Sequence, residues 1–295
     1  MYKLKLFTTL LLGALVLLSC KKDDDTVPSK SLTLNISGLK DLGNNYAYEG
    51  WLIVNNKAIS AGIFNVDATG NLSKKAFDLN AAYVNSATAY VLTIEPNPDT
   101  DPKPSSVHIL AGDFSGKSAA ITVKHSSAIG TDFTSSTGSY ILATPTDGGS
   151  MTDENSGVWW LDPASGPGAG LSLPTLPSGW KYEGWAVING TPISTGTFTA
   201  AAGSDSSAAF SKTTASAPPF PGEDFLMNAP SGITFPTNLK GAKVVISVEP
   251  SPDNSTDPFL LKPLVGDVPS DATDHKLYNM SNNATTTNPT GTVSR

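Results

Sequence analysis

The stretch AYEGWLIVNNKAISAGIF, Ala47 to Phe64, returns as KYEGWAVINGTPISTGTF, Lys181 to Phe198, without a gap. An internal repeat of this length constrains the fold more than any local propensity, because each copy must find burial for the same pattern of side chains. Tyr48, Trp51 and Phe64 meet Tyr182, Trp185 and Phe198 at a shift of 134, and Leu39 and Leu42 meet Leu173 and Leu176 at the same shift. A second block, from Val91 to Phe114, matches Val245 to Val268 at a shift of 154. The second copy therefore carries about twenty extra residues, and the Pro/Gly/Ala-rich stretch Ala215 to Lys240 reads as the loop that holds them. Beyond the Gly-Asp pair of each block, one copy closes on Thr137-Gly138 and the other on Thr290-Gly291.

The first block has a strand-turn-strand pattern. Asn189-Gly190 supplies the positive-φ pair that a tight hairpin requires, and Asn55-Asn56 supplies it in the first copy. Pro192 cannot donate a ladder hydrogen bond and marks its position as an edge or an irregularity. Val91 to Glu95 and Val244 to Glu249 read as β-branched strands stopped by Glu-Pro. Helix signals are confined to short runs at Lys74 to Ala82 and Asp271 to Leu277. The expected architecture is all-β, with two tandem β-sandwich or barrel-like modules at 32–147 and 157–295 and a boundary near Asp147 to Ser156.

The chain opens MYKLKLFTTLLLGALVLLSC, two lysines ahead of an apolar run that is too short to span a bilayer. Residues 1–19 read as a secretory signal peptide. Leu17-Leu18-Ser19-Cys20 resembles a bacterial lipobox, which implies that Cys20 becomes the acylated first residue. Cys20 is the one cysteine in the chain, so no intramolecular disulfide forms and packing must supply the stability. Residues 20–31 read as the lipidated cysteine and a disordered tether. The Lys-Lys-Asp-Asp-Asp run at its start resembles the export signal of surface lipoproteins of the Bacteroidota. That implies an outer-membrane, lipid-anchored and cell-surface-exposed location. A formal net charge of −7 excludes nucleic acid as a partner class.

Tyr-x-x-Trp, an apolar strand, a turn, Gly-x-Phe, then a strand ending in Glu-Pro and a Pro/Asp loop resembles the extracytoplasmic C-terminal domain of anti-sigma-K-type factors. It occurs twice and covers most of the mature chain, as in duplicated Bacteroidota lipoproteins that the whole chain resembles. The resemblance implies the fold and a sensing or binding role. Those factors also carry a zinc-containing sigma-binding domain and a transmembrane helix, which match nothing in this sequence.

Candidate chemistry is sparse. His108, His125 and His275 do not recur with the repeat, sit in no serine or cysteine motif, and read as structural. Glu49, Glu95, Glu183 and Glu249 do recur, and a glycan hydrolase using them is the enzymatic alternative. Asp99 to Asp101 and Asp253 to Asp257 cluster acidic and amide oxygens but lack the glycine and distal glutamate of a calcium loop, so they read as solvated turns. No catalytic residue, cofactor or metal site is expected. Tyr48, Trp51, Phe64, Tyr182, Trp185 and Phe198 read as structural anchors of the repeat. In Trp159-Trp160 neighbouring rings must point to opposite faces: either the strand is covered on both sides, or one ring faces an inter-module groove. Trp159, Trp160 and Trp180 are therefore the candidate contacts for a ligand or partner. The expected role is a non-enzymatic binding or sensing lipoprotein, held to the membrane by its N-terminal lipid and engaging an envelope protein or glycan. A structural or adhesive surface protein is the third reading.

Overall fold

The computed structural model describes residues 27–253 and 255–295; the signal segment, Cys20 and the first part of the tether lie outside them. The protein is all-β. The first half comprises β1 (Ser29–Ser37), β2 (Tyr46–Val54), β3 (Lys57–Phe64), β4 (Ala76–Asn80), β5 (Ala89–Pro96), β6 (His108–Asp113) and β7 (Ser118–Thr122). The expected tether ends earlier than residue 31, because Ser29 to Ser31 already pair with Asn80 to Asp78. The helix signal at Lys74 to Ala82 resolves into β4 followed by α1 (Ala81–Ser86), whose first turn is capped by the Asn80 side chain accepting from the Ala82 N–H at 2.9 Å. Asp271 to Leu277 forms turns only.

The second half begins with β8 (Thr137–Leu142) and β9 (Gly157–Trp159), then β10 (Leu161–Asp162), which pairs with β11 (Gly168–Ala169). It continues with β12 (Leu171–Ser172), β13 (Trp180–Ile188), β14 (Thr191–Phe198), β15 (Gly222–Asp224), β16 (Lys243–Pro250) and β17 (Leu264–Asp267). Two short strands, β18 (Tyr278–Asn279) and β19 (Ser281–Asn282), a helical turn α2 (Ala284–Thr287) and β20 (Thr290–Ser294) close the chain. The Ala215 to Lys240 segment is a loop interrupted by β15, which pairs with β9.

The eight-stranded sheet runs β3-β2-β5-β6-β7-β20-β1-β4 and is nearly closed. Its two edges approach so tightly that a Cβ added at Gly62 in β3 would lie 2.5 Å from the Phe77 ring in β4. A second sheet, β14-β13-β16-β17-β19, holds the repeated hairpin of the other copy, and a third, β12-β8-β9-β15, stands beside it. Pro192 lies in β14 at a sheet edge, as a residue without an N–H must.

The strand that closes each copy is exchanged between the halves. β8 ends the first copy, yet Gly138 sits opposite Leu171 of β12 and Tyr140 opposite Tyr278 of β18. β20 ends the second copy, yet Gly291 sits opposite Ile36 of β1 and Ile121 of β7. The boundaries 32–147 and 157–295 therefore need correction: Thr137–Leu142 belongs to the second half and Thr290–Ser294 to the first. Local strand signals cannot report this, because both strands carry the same β pattern and either partner satisfies their ladders. The exchange leaves one continuous buried cluster running from Leu32 in β1 through Trp160 and Tyr182 to Val248 in β16.

Candidate functional site

The recurring residues build the same framework twice. Both hairpins carry a register shift at the glycine-tryptophan step, Gly50/Trp51 and Gly184/Trp185. The shift turns each indole onto the neighbouring strand, where Trp51 Nε1 donates to Thr93 Oγ1 and Trp185 Nε1 to Ser247 Oγ, both at 2.8 Å. Tyr48 stacks on Phe64 with centroids 5.6 Å apart, and Tyr182 on Phe198 at 5.7 Å. Each tyrosine hydroxyl donates to the backbone eight residues upstream, at Lys40 O and Pro174 O. All six anchors are buried, so the repeat is a scaffold.

The other tryptophans are also interior. β9 lies between β8 and β15, and the chain here is covered on both sides: Trp159, which ends β9, packs against Ile141, Leu161 and Phe220, and Trp160, the next residue, sits in the main cluster. Trp159 Nε1 donates to the buried Asp224 at 2.7 Å. Trp180 Nε1 donates to His108 O across the junction of the halves at 3.2 Å. None of Trp159, Trp160 and Trp180 is more than 3% exposed, so none offers a free ring face for stacking. The three histidines stand apart on local partners: His108 on Ser127 O, His125 near Asp113, and His275 on Asp274.

The recurrent glutamates are buried beside the tryptophans. Ser60 donates to Glu49 and Ser194 to Glu183; Thr93 donates to Glu95 and Ser247 to Glu249. The two copies then part. In the first, the Ser105 N–H reaches both oxygens of Glu95, at 2.9 and 3.1 Å. In the second, the Phe259 N–H reaches only Glu249 Oε1, at 2.8 Å, and the Oε2 atoms of Glu249 and Glu183 are buried without a hydrogen-bond partner. Burial pushes Glu183 up to about 7 against the pull of Ser194, with the Asp253 charge adding to the rise. Burial likewise pushes Glu249 up to about 7, opposed by Ser247 and the Phe259 N–H and reinforced by Asp253 and Glu183. Glu49 is also raised, chiefly by burial.

Where the halves meet lies a cavity of about 240 Å³. Leu42, Tyr46, Ile94 and Val107 of the first half and Pro250, Pro252 and Phe259 of the second form its apolar wall, with Lys40, Asp41 and Asp253 among its polar lining. The Trp180 ring backs Phe259 at 5.9 Å, and Lys40 Nζ, 5.7 Å above the same ring, donates to Pro258 O. The two Glu-Pro loops of the repeat thus contribute Pro96, Ser105 and Ser106 on one side and Pro250 to Ser255 on the other. A joint apolar pocket with a few polar groups at its margin is the arrangement of a small-ligand site. Sequence reasoning passed over Leu42, Tyr46 and Phe259; the repeat of the Glu-Pro loops was the available signal, since two copies of one loop meet here.

No protein-family model, curated protein or solved structure matches the chain.

Proposed function

We propose that the chain is an exported, lipid-anchored envelope protein that binds a small amphipathic ligand in the cavity between its two halves, in a binding or sensing role without catalysis. The observation that carries this reading is the cavity itself: an apolar wall drawn from both repeats, closed by charged and hydroxyl groups. The burial of Glu49, Glu95, Glu183 and Glu249 favours binding over glycan hydrolysis, because a sugar must lie between the two carboxyls that cleave it. Residues 1–20 support the address, with Cys20 as the acylated residue on an outer membrane, and the resemblance to the outer domain of anti-sigma-K-type factors supports a sensing task.

Anilinonaphthalene sulfonate, an amphipathic aromatic probe, tests the pocket. Saturable binding at one site with energy transfer from Trp180 is expected, and Ser106→Trp, which plugs the exposed margin, weakens it about tenfold or more without lowering the melting temperature. Binding that is indifferent to Ser106→Trp places the ligand elsewhere. Cys20→Ala releases the protein from membranes; retention of that variant through a high-salt wash counts against the lipid anchor.

A further inference from the structure

We infer that Glu183, Glu249 and Asp253 form a calcium-binding site in the second half of the molecule. A carboxylate oxygen from each of the three lies within 4.8 Å of the other two. Glu249 is fully buried and Glu183 is 94% buried, and each turns one oxygen, Oε2, to no hydrogen-bond partner. A buried acceptor without a donor costs roughly 1–3 kcal/mol, more when charged, unless something outside the chain satisfies it. Among the described residues no ion pair involves Glu183, Glu249 or Asp253. A small cation that reaches both buried oxygens at once would satisfy them.

The protein also holds the ligands in place from behind. Ser194 fixes Oε1 of Glu183, Ser247 and the Phe259 N–H fix Oε1 of Glu249, and the Ser255 N–H fixes Oδ1 of Asp253 at 2.9 Å. Such outer contacts orient metal ligands. An all-oxygen donor set selects a hard cation. Ca²⁺ accepts flexible, irregular oxygen coordination such as two buried glutamates and a loop aspartate provide, whereas Mg²⁺ demands near-ideal octahedral geometry and dehydrates reluctantly. The three carboxylates open on a hollow of about 390 Å³ that Lys181, Thr197 and Ser251 also line, which leaves room for the water ligands Ca²⁺ takes. The Asp253 loop, which reads as a solvated turn in the sequence, becomes a ligand loop because the fold lays it against two glutamates from β13 and β16.

The first half is a built-in control. Glu49, Glu95 and Asp99 stand at the same repeat positions, and Asp99 accepts from the Asp101 N–H at 2.9 Å as Asp253 does from Ser255, yet the Ser105 N–H covers both oxygens of Glu95 where Phe259 covers only one of Glu249. Calcium titration of the EDTA-treated full chain should show one bound Ca²⁺, weak enough to fall in the roughly 10⁻⁴–10⁻³ M range of extracellular modules, with Mg²⁺ weaker still. Glu249→Gln should weaken Ca²⁺ at least about tenfold while melting in EDTA no lower than the parent, and Glu95→Gln should leave Ca²⁺ binding intact. Asp253→Asn, at a partly exposed position, repeats the test if Glu249→Gln folds poorly. Absence of Ca²⁺ binding by the parent overturns the site, as does Ca²⁺ binding that survives both Glu249→Gln and Asp253→Asn. This outcome is read with calcium alone and is separate from probe binding in the neighbouring cavity.

Discussion

The two hairpins are superposable in their logic and differ in what covers their central glycine. In the first half a Cβ at Gly50 would strike the Tyr90 hydroxyl at 2.1 Å, and in the second a Cβ at Gly184 would meet the Trp160 ring at 2.5 Å. Tyr90 lies in β5, and the residue at its repeat position in β16 is Val244. The volume lost between tyrosine and valine is supplied by the indole of Trp160, which links β9 to β10, strands with no place in the first hairpin's sheet. What the repeat preserves is thus the bulge, the indole hydrogen bond and the Tyr-Phe stack, while the filling of the space above them is free to come from elsewhere. The same freedom separates the two acidic groups, where one copy satisfies its glutamate with backbone and the other leaves oxygens bare.

The exchange of closing strands is the largest thing the comparison hides, and removing residues 290–295 is the way to break it. β20 stands between β7 and β1 and pairs with both, and the Arg295 guanidinium donates to Val84 O and Ala87 O at 2.7 Å. The truncated chain should lose hydrogen-exchange protection in β1 and β7, in the half that is remote in sequence, while β13 and β16 keep theirs. Loss confined to the second half would mean that the halves are not tied in this way.

Next in size are the paired indoles. Trp51→Ala and Trp185→Ala each remove a buried ring and the indole N–H that donates to a hydroxyl on the adjacent strand, at a cost of about 3–5 kcal/mol in denaturant unfolding. Equal losses sharpen the view of a common scaffold; a small loss at Trp185 with weakened ligand capture would instead make it a contact residue.

Much of this scaffold is legible in the residues. Turn chemistry at Asn55-Asn56 and Asn189-Gly190, β-branched alternation before each Glu-Pro, and the proline in β14 specify hairpins, strand ends and an edge through local physics alone. The exchange of β8 and β20, the role of β15 and the burial of Trp180 depend on which distant strand is nearest, and no local pattern carries that. The acidic cluster was half visible: its three residues recur, but only the three-dimensional register shows that the second copy lacks the extra donor contact that covers both oxygens of Glu95.

A smaller contrast concerns Glu223, in the insertion that only the second copy has. It is fully buried on β15, accepts from Ser211 and the Asp224 N–H, and is pushed up to about 7 by burial, opposed by those donors. A carboxyl raised in the folded state contributes its full stability below the unfolded pKa near 4.5 and loses it as pH rises through about 7. The parent should therefore be less stable at pH 8 than at pH 5, with Glu223 accounting for on the order of 1–2 kcal/mol. Glu223→Gln keeps the acceptor and removes the charge, so the difference between the two pH–stability curves isolates this group. Parallel curves would place the titration elsewhere.

The smallest expected effect tests whether the hairpins are interchangeable at their tips. Asn56 holds φ at 60° and Gly190, at the same repeat position, holds 83°, both in the left-handed region where a side chain is disfavoured and asparagine is tolerated. Replacing Asn56 with Gly relieves the backbone strain in the folded hairpin but frees the unfolded chain, and Gly190→Asn does the reverse. The strain term leads at a positive φ, so Asn56→Gly should stabilise by a few tenths of a kcal/mol up to about 1, and Gly190→Asn should destabilise by a similar amount. The sum of the two changes should be close to zero in paired thermal melts, because the turns sit in equivalent ladders, Val54 opposite Lys57 and Ile188 opposite Thr191. A large residual would mean that one tip senses its surroundings and the other does not, and that the equivalence of the hairpins stops short of their turns.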